Sequence, residues 1–378
     1  MRLLISAGEA SGEMYGAQLI DALCRRVPGI ECFGVGGERM RAAGCELVVQ
    51  SKELAVVGIT EILPRLPKIY GEFRKLVRAI DQRKPEAAVL IDSPAFHFKV
   101  ARELHRRGIP VIYYVAPQLW AWRSGRVRLV RRYFKKALVI FPFEEQWYRE
   151  RGVDAEFVGH PLADVERPSE SPEQFIQERG YEPRKPTIAI LPGSRRKEIR
   201  MNLPAMLRTA EILGSDYQFV LPIAPTIDPG WLDQLVHRIN PTLNFVLFTT
   251  TDTRALAYAR AAAVASGTAT VEAAMMGTPM VVVYRVSPLT WALGRPLVHV
   301  KNFAMVNLIA GEQVVPELIQ ADFTPENVAA RLREILPDGP AREKIERDLA
   351  QVRARLRSGD DPRCAADRAA DGVLRTLA

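Results

Sequence analysis

Cysteine is scarce in this chain and follows no pattern. Cys24, Cys32, Cys45 and Cys364 form no C-x-x-C pair and no zinc spacing, which excludes a zinc ribbon and points to free thiols in a reducing compartment. No apolar run approaches the ~18 residues needed to cross a bilayer. The opening residues, Met1-Arg2-Leu3-Leu4-Ile5-Ser6, turn polar too soon for a signal peptide. A cytoplasmic chain, free or resting on the face of a membrane, is therefore expected. No repeat of fixed period and no low-complexity segment is present. No cluster of Asp and His has metal-ligand spacing, so neither a metal nor a cofactor is expected.

What is present is an ordinary globular composition, with 48% hydrophobic and 25% charged residues in 378. That length favours two domains. The net charge of +8 is unevenly spread. Between residues 123 and 136 stand Arg123, Arg126, Arg128, Arg131, Arg132, Lys135 and Lys136 without an acid. A second group, Arg65, Lys68, Arg74, Lys75 and Arg78, alternates with Leu63, Leu66, Ile69, Tyr70 and Phe73. Both groups read either as solvated helix faces or as surfaces for an anionic partner.

Short apolar runs alternate with longer helical stretches along the whole chain. They fall at 3–6, 32–35, 87–91, 110–115, 138–141 and 156–158, and then at 187–191, 217–221, 244–248, 262–265 and 280–284. Continuous apolar strands separated by helices predict parallel sheets covered on both faces. The expected fold class is α/β, two doubly wound Rossmann-like domains facing a cleft, with a C-terminal helical tail. The polar, proline-containing stretch 167–185 is the expected linker. The domains then span 1–170 and 185–340, with tail helices over 341–378 that pack back on the first domain or onto a second subunit.

Each half opens with a strand, a turn of small residues and a helix. In the first, Ser6-Ala7 runs into Gly8, Glu9, Ala10, Ser11 and Gly12. Its glycines fall four apart, unlike the G-x-G-x-x-G of dinucleotide sites, so NAD is not expected. The turn either brings backbone amides close to a ligand or is a tight connection with small residues for packing. In the second half, strand 187–191 leads to Gly193, Ser194 and Arg195, where free N–H groups and a guanidinium suit a phosphate. The plainer account is a serine cap among surface charges. Strand 262–265 leads to Ser266, Gly267 and Thr268, with Glu272 one helical turn on. A carboxylate there suits the hydroxyls of a ribose, or closes a capping box with Thr268 or Ser266. Two such turns in one domain point to a nucleotide diphosphate.

A longer ordered set of motifs is more specific. AGEASG at 7–12, GVGG at 34–37 with Met40 and Gly44, ELAVVG at 53–58, YVAP at 114–117 with Trp120-Ala121-Trp122, and FPFE at 141–144 come first. VGHPL at 158–162, LPGSR at 191–195, SGTATVE at 266–272 and NLI at 307–309 follow. Together they resemble the lipid-A-disaccharide synthase family over nearly the whole chain.

The resemblance implies a GT-B glycosyltransferase with the acceptor domain first and the UDP-sugar domain second. The implied reaction joins UDP-2,3-diacylglucosamine to 2,3-diacylglucosamine 1-phosphate (lipid X), releasing UDP, at the cytoplasmic face of the inner membrane. It makes Asp92 the essential carboxylate, placed at the end of an apolar strand to take a proton from the acceptor's 6-hydroxyl. The plainer account of Asp92 is a helix cap before Pro94. Gly193, Ser194 and Arg195 then face the leaving diphosphate, Ser266, Gly267, Thr268 and Glu272 the ribose side, and Asn307 the diphosphate or uracil. Gly8, Glu9, Ser11 and Gly12 form the acceptor-side loop. Val56, Val57, Ile62, Leu63, Leu66 and Ile69 meet acyl chains or lipid, with Arg65, Lys68 and Lys75 near anionic head groups. Pro64 and Pro67 there predict an irregular, exposed segment.

The resemblance also implies homodimers that exchange C-terminal segments. The chain departs from the family's usual pattern at Glu13, Ala95 and His97, where an aspartate, a second acid and an asparagine are common. His97, a lone histidine, reads as structural or exposed. The competing readings are a UDP-N-acetylglucosamine 2-epimerase-like enzyme, a transferase of peptidoglycan lipid precursors, and a non-catalytic nucleotide-sugar or lipid-binding protein. A nucleic-acid partner is not expected, because no recognised motif accompanies the basic run.

Overall fold

The computed structural model describes residues 1–54, 59–165, 168, 171, 175, 182, 184–224, 226–242, 246–250, 255–294, 302–357, 361 and 363–377, without the side chains of 10, 59–66, 246, 248, 249, 289, 293 and 294. It divides into two units, residues 1–164 with 356–378, and residues 165–355. Most of the expected linker lies outside the described residues, as do Val56 and Val57 and the side chains of Ile62, Leu63 and Leu66.

The first unit runs β1 (Arg2–Ala7), α1 (Ala10–Arg26), β2 (Glu31–Gly36), α2 (Glu38–Ala42), β3 (Cys45–Gln50), α3 (Ser51–Leu54), α4 (Ile59–Arg83) and β4 (Ala87–Ile91). It continues with α5 (Pro94–Arg106), β5 (Val111–Tyr114), α6 (Val127–Tyr133), β6 (Lys136–Val139), α7 (Pro142–Arg149) and β7 (Ala155–Phe157). The strands form one parallel sheet in the order β3-β2-β1-β4-β5-β6-β7. Every residue of β4 is buried, which is why its sequence is an unbroken apolar run. Helix α5 starts on Pro94, whose fixed φ suits a first turn, and buries Val100, Ala101 and Leu104 on one stripe. That stripe joins Leu4, Leu90, Val130 and Phe134 in the core, where each buried aliphatic side chain contributes roughly 1.5–3 kcal/mol.

The second unit runs β8 (Thr187–Leu191), α8 (Arg196–Leu213), β9 (Gln218–Pro222), α9 (Pro229–Ile239), β10 (Val246–Thr250), α10 (Ala255–Tyr258), β11 (Ala261–Ala265) and α11 (Thr268–Met276). Then come β12 (Met280–Tyr284), α12 (Pro288–Gly294), α13 (Met305–Ala310), β13 (Glu317–Ile319), α14 (Pro325–Ile335) and α15 (Pro340–Leu356). Its parallel sheet has the order β10-β9-β8-β11-β12-β13. Helix α11 buries Thr270, Val271, Ala273, Ala274, Met275 and Met276 and stops at Gly277, whose φ of +70° only glycine adopts cheaply.

In both sheets the strand order reverses at one place, between β1 and β4 and between β8 and β11. The crevice beyond the carboxyl ends of such a strand pair is where doubly wound folds bind ligands.

Two expectations change here. The helix α4 runs unbroken from Ile59 through Pro64 and Pro67. Each internal proline costs about 3 kcal/mol, and the burial of Leu76, Ala79 and Ile80 in its later turns offsets that cost. The tail divides in two. Helix α15 belongs to the second unit, where Arg342 donates to the carbonyls of Arg260 and Ile335. The last helix, α16 (Ala365–Leu377), lies on the first unit. There Arg26 pairs with Asp367 and Asp371 at 2.7 and 2.5 Å, and the Ala365 N–H donates to Asp164 at 2.7 Å.

Candidate active site

In the first unit β1 and β4 lie side by side, with Ala7 in register with Ile91. Their two following turns therefore meet. A Cβ on Gly8 would lie 2.4 Å from Ser93 Oγ, so only glycine lets the turn after β1 close against the turn after β4. Gly12 is buried, and a Cβ there would meet Ala7 and Ile91 at ordinary contact distance, so the helix packs there without demanding glycine. Glu9, the residue before α1, is exposed, and Ser11 is partly buried in the first turn. Glu13 accepts the Arg39 N–H at 2.9 Å and so caps α2.

Asp92 follows β4 with φ +53°, and Ser93 follows it with φ +45°. Left-handed backbone costs a non-glycine residue roughly 1–2 kcal/mol, and strain of this kind gathers at functional sites. Ser93, not Asp92, stands at the cap position of α5. Asp92 thus stands one residue outside the cap, half-buried at the carboxyl edge of the sheet. The Asp92 N–H donates to the Tyr114 carbonyl at 3.1 Å. Its own carbonyl accepts from His97 Nδ1 at 2.6 Å and from Tyr113 Oη at 3.1 Å. Ala95 is exposed on the first turn of α5.

Further along the same edge, Trp120 Nε1 donates to Glu144 at 2.8 Å, and the Phe141 N–H to the same carboxyl at 3.2 Å. Glu144 is fully buried. Burial outweighs these bonds and pushes its acid up to about 8. His160, between the rings of Tyr15 and Phe141, is held down at about 3 by burial.

In the second unit β8 and β11 are neighbours, so the turns at Gly193 and Gly267 lie beside each other at the carboxyl edge. Gly193 has φ +127°, and a Cβ there would lie 2.8 Å from Glu198 Oε2. Asn202 reaches back from α8 to hold the Pro192 carbonyl at 2.9 Å. Arg195 stands at the helix cap with no side-chain capping bond. The Ser194 N–H points at Glu198 Oε2, 3.3 Å away, and Arg195 pairs with Glu198 Oε1 at 3.2 Å. Glu198 was not singled out from the sequence. Its place, third in a helix whose cap is Arg195, is the signal that marks a residue able to fold back onto the helix start. Its carboxylate takes the position in which an incoming phosphate would meet the same donors.

Gly267 has φ +153°, and a Cβ there would meet nothing within 4 Å, so space opens beside the turn. Thr268 is exposed at the helix start. The Ser266 hydroxyl donates to the Phe303 carbonyl at 2.7 Å, so its proton is already committed. Glu272 makes no capping box: α11 has no side-chain cap. No hydrogen-bond or ion-pair partner accompanies it among the described residues, and burial raises its acid. A half-buried carboxylate of that kind is suited to a ligand's hydroxyls.

Asn307 does not fit the role expected of it. Its amide nitrogen donates to Val315 O and Glu317 at 3.0 and 2.7 Å. Its oxygen accepts the N–H groups of Val314 and Val315 at 2.8 and 3.0 Å. All four of its bonds are spent inside the protein, so it holds the 314–317 segment rather than a nucleotide. Lys68 and Lys75 are also engaged, with Glu53 and Glu72, and Ile69 is partly buried on α4.

Comparison with known proteins gives the family and the fold. A family model described as "Lipid-A-disaccharide synthetase" matches residues 3–369. The lipid-A-disaccharide synthase of Koribacter versatilis is 55% identical, over 99% of this chain and 98% of its own. That of Acidobacterium capsulatum is 48% identical, over 94% and 91%. Among solved structures, the calicheamicin glycosyltransferase CalG4 superposes with a TM-score of 0.62 at 18% identity, over 100% of this chain and 98% of that one, a likeness of fold alone. The two parallel-sheet domains are of the GT-B type, and the chain belongs to the lipid-A-disaccharide synthase family of glycosyltransferases.

Proposed function

We propose that this enzyme transfers 2,3-diacylglucosamine from its UDP carrier to the 6-hydroxyl of 2,3-diacylglucosamine 1-phosphate, yielding the β-1,6 disaccharide 1-phosphate of lipid A and UDP. The reading assigns the acceptor to the first unit and the donor to the second. Its main support is that each sheet carries the chemistry required of it at its switch point. Asp92 stands at one; the Gly193 and Gly267 turns, with Arg195 and Glu272, stand at the other.

Asp92 takes the proton of the 6-hydroxyl as that oxygen attacks the anomeric carbon. The new C–O bond forms as the bond to the diphosphate breaks, with inversion. The amides at Gly193 and Ser194 and the Arg195 guanidinium stabilise the charge growing on UDP. Phosphate displaces Glu198 from those donors, and Glu272 holds the ribose. Incubating the protein with UDP-2,3-diacylglucosamine and lipid X is expected to give disaccharide and UDP by mass. UDP-N-acetylglucosamine converted instead, with no disaccharide, would replace this reading with the epimerase one.

Acylated substrates call for a membrane surface, and the reading places the enzyme on the anionic cytoplasmic face of the inner membrane. No helix among the described residues is long and apolar enough to cross a membrane. Residues 99–107 and 123–136 hold eleven cations and one acid, more net charge than the +8 of the whole chain. Among them Arg102, Arg106 and Arg132 line a depression of about 220 Å³ with His105 and Tyr133. Tyr70 and Trp122 stand out of the surface of the same unit, 61% and 46% exposed. Aromatics of that kind sit well at a bilayer interface. A homodimer that exchanges α16 is consistent with the self-contained way that helix pairs with α1, and light scattering reports it.

A further inference from the structure

We infer that His97 is a positioning residue of the transfer reaction, its imidazole holding the backbone from which Asp92 presents its carboxylate. The inference rests on reading Asp92 as the base. Two consecutive left-handed residues, Asp92 and Ser93, persist only where surrounding bonds hold them. The carbonyl between them is held by two side chains. His97 Nδ1 lies 2.6 Å from Asp92 O, and Tyr113 Oη lies 3.1 Å from it.

A carbonyl only accepts, so the imidazole carries its proton on Nδ1 and leaves a lone pair on Nε2. That lone pair faces the Ser6 hydroxyl of β1 at 2.8 Å, which donates to it. Ser6, His97 and the Asp92 carbonyl therefore form one chain of donors across the two strands that flank the switch point. Ser6 and His97 have no exposed surface at all. Substrate does not reach the ring, and burial keeps it neutral, with a pKa near 4. A proton-transfer role is thereby closed to it, and orientation is what remains. From a third side Gly8 leans on Ser93, so the turn is fixed by β1, α5 and β5 together. A shift of an ångström at a reacting carboxylate is enough to lower a rate a hundredfold.

Three variants of the full chain, assayed with UDP-diacylglucosamine and lipid X, test the inference. His97→Leu removes the donor and keeps the volume. It is expected to lower kcat at least tenfold while the donor KM stays within twofold. His97→Asn restores an N–H at the δ position and is expected to recover most of that loss. Tyr113→Phe removes the second donor and is expected to lower kcat severalfold, and to do so whether or not His97→Leu folds. Asp92→Asn is measured beside them. If it remains active, the reading of Asp92 as base fails. If it is inactive while His97→Leu and Tyr113→Phe turn over like the parent, the positioning role is refuted and the base survives. Losses that follow melting temperature, with no rescue by asparagine, would likewise reduce His97 to a packing residue.

Discussion

The edge between β1 and β4 and the edge between β8 and β11 are the same topological place, furnished in different ways. At the first, the backbone is strained and tied down. The Asp92 carbonyl has two side-chain donors, and the neighbouring Gly8 turn touches Ser93. At the second, the glycine at 267 faces open space, and Glu272 has no hydrogen-bond or ion-pair partner among the described residues. The Ser194 amide and Arg195 both meet the carboxylate of Glu198, four and three residues away. A site that moves a proton needs one geometry, fixed in advance. A site that binds a charged carrier and lets it go needs donors that can exchange one anion for another. On the proposed function, the difference teaches that chemistry and carrier binding are divided between two copies of one architecture.

That division can be broken in several ways. The largest expected effect is that of Asp92→Asn, which removes the proposed base and should lower kcat by roughly 10²–10⁴. Arg195→Ala removes the guanidinium proposed to stabilise the leaving UDP and should cost about 10²–10³ in kcat; a loss confined to acceptor KM would contradict that proposal. Glu272→Gln should raise the donor KM by about tenfold, the effect of losing roughly 1.4 kcal/mol of uniform binding, and leave acceptor KM alone. Glu198→Ala, by removing a competing carboxylate from the Ser194 amide and Arg195, should tighten UDP by a factor of a few in calorimetry. Weaker binding would show that Glu198 orients these donors rather than competing for them.

A stability measurement sharpens the contrast from the other side, because the buried titrating groups of the first unit have opposed signs. His97 and His160 are held down near 4 and 3 against an ordinary 6.5. Each lets the unfolded chain bind a proton that the folded one refuses, so the stability they contribute is lost as pH falls below 6.5. Glu144 is pushed up to about 8 from 4.5. The folded chain holds its proton where the unfolded chain has lost it, so its contribution is lost as pH rises from 4.5 to 8. For these three groups stability peaks near pH 6.5 and declines toward 8 by on the order of 1 kcal/mol per pH unit. Denaturation midpoints across this range should lose the alkaline decline in Glu144→Gln.

Much of the fold was legible from buried, two-sided strands. The apolar runs at 87–91, 187–191 and 280–284 coincide with β4, β8 and β12, because strands covered on both faces have no polar alternation to blur them. The edge strands β3 and β13 escaped notice, since β3 is half exposed and β13 has three residues. The run at 138–141 sat two residues late. Lys136 begins β6 as a cation paired with Glu156 at 3.0 Å, whereas Phe141 is the cap position of α7. Prolines at 64 and 67 argued locally against a helix that downstream packing sustains. At the site, residue types were readable and bonds were not. His97 and Ser6 are 91 positions apart, and the saturation of Asn307 depends on a loop that folds back on it.

The most direct test of the division is UDP affinity, measured by calorimetry on Asp92→Asn and Glu272→Gln side by side with the parent enzyme. Binding unchanged in the first and weakened about tenfold in the second is the expected result. UDP binding lost with Asp92 and kept without Glu272 would contradict it.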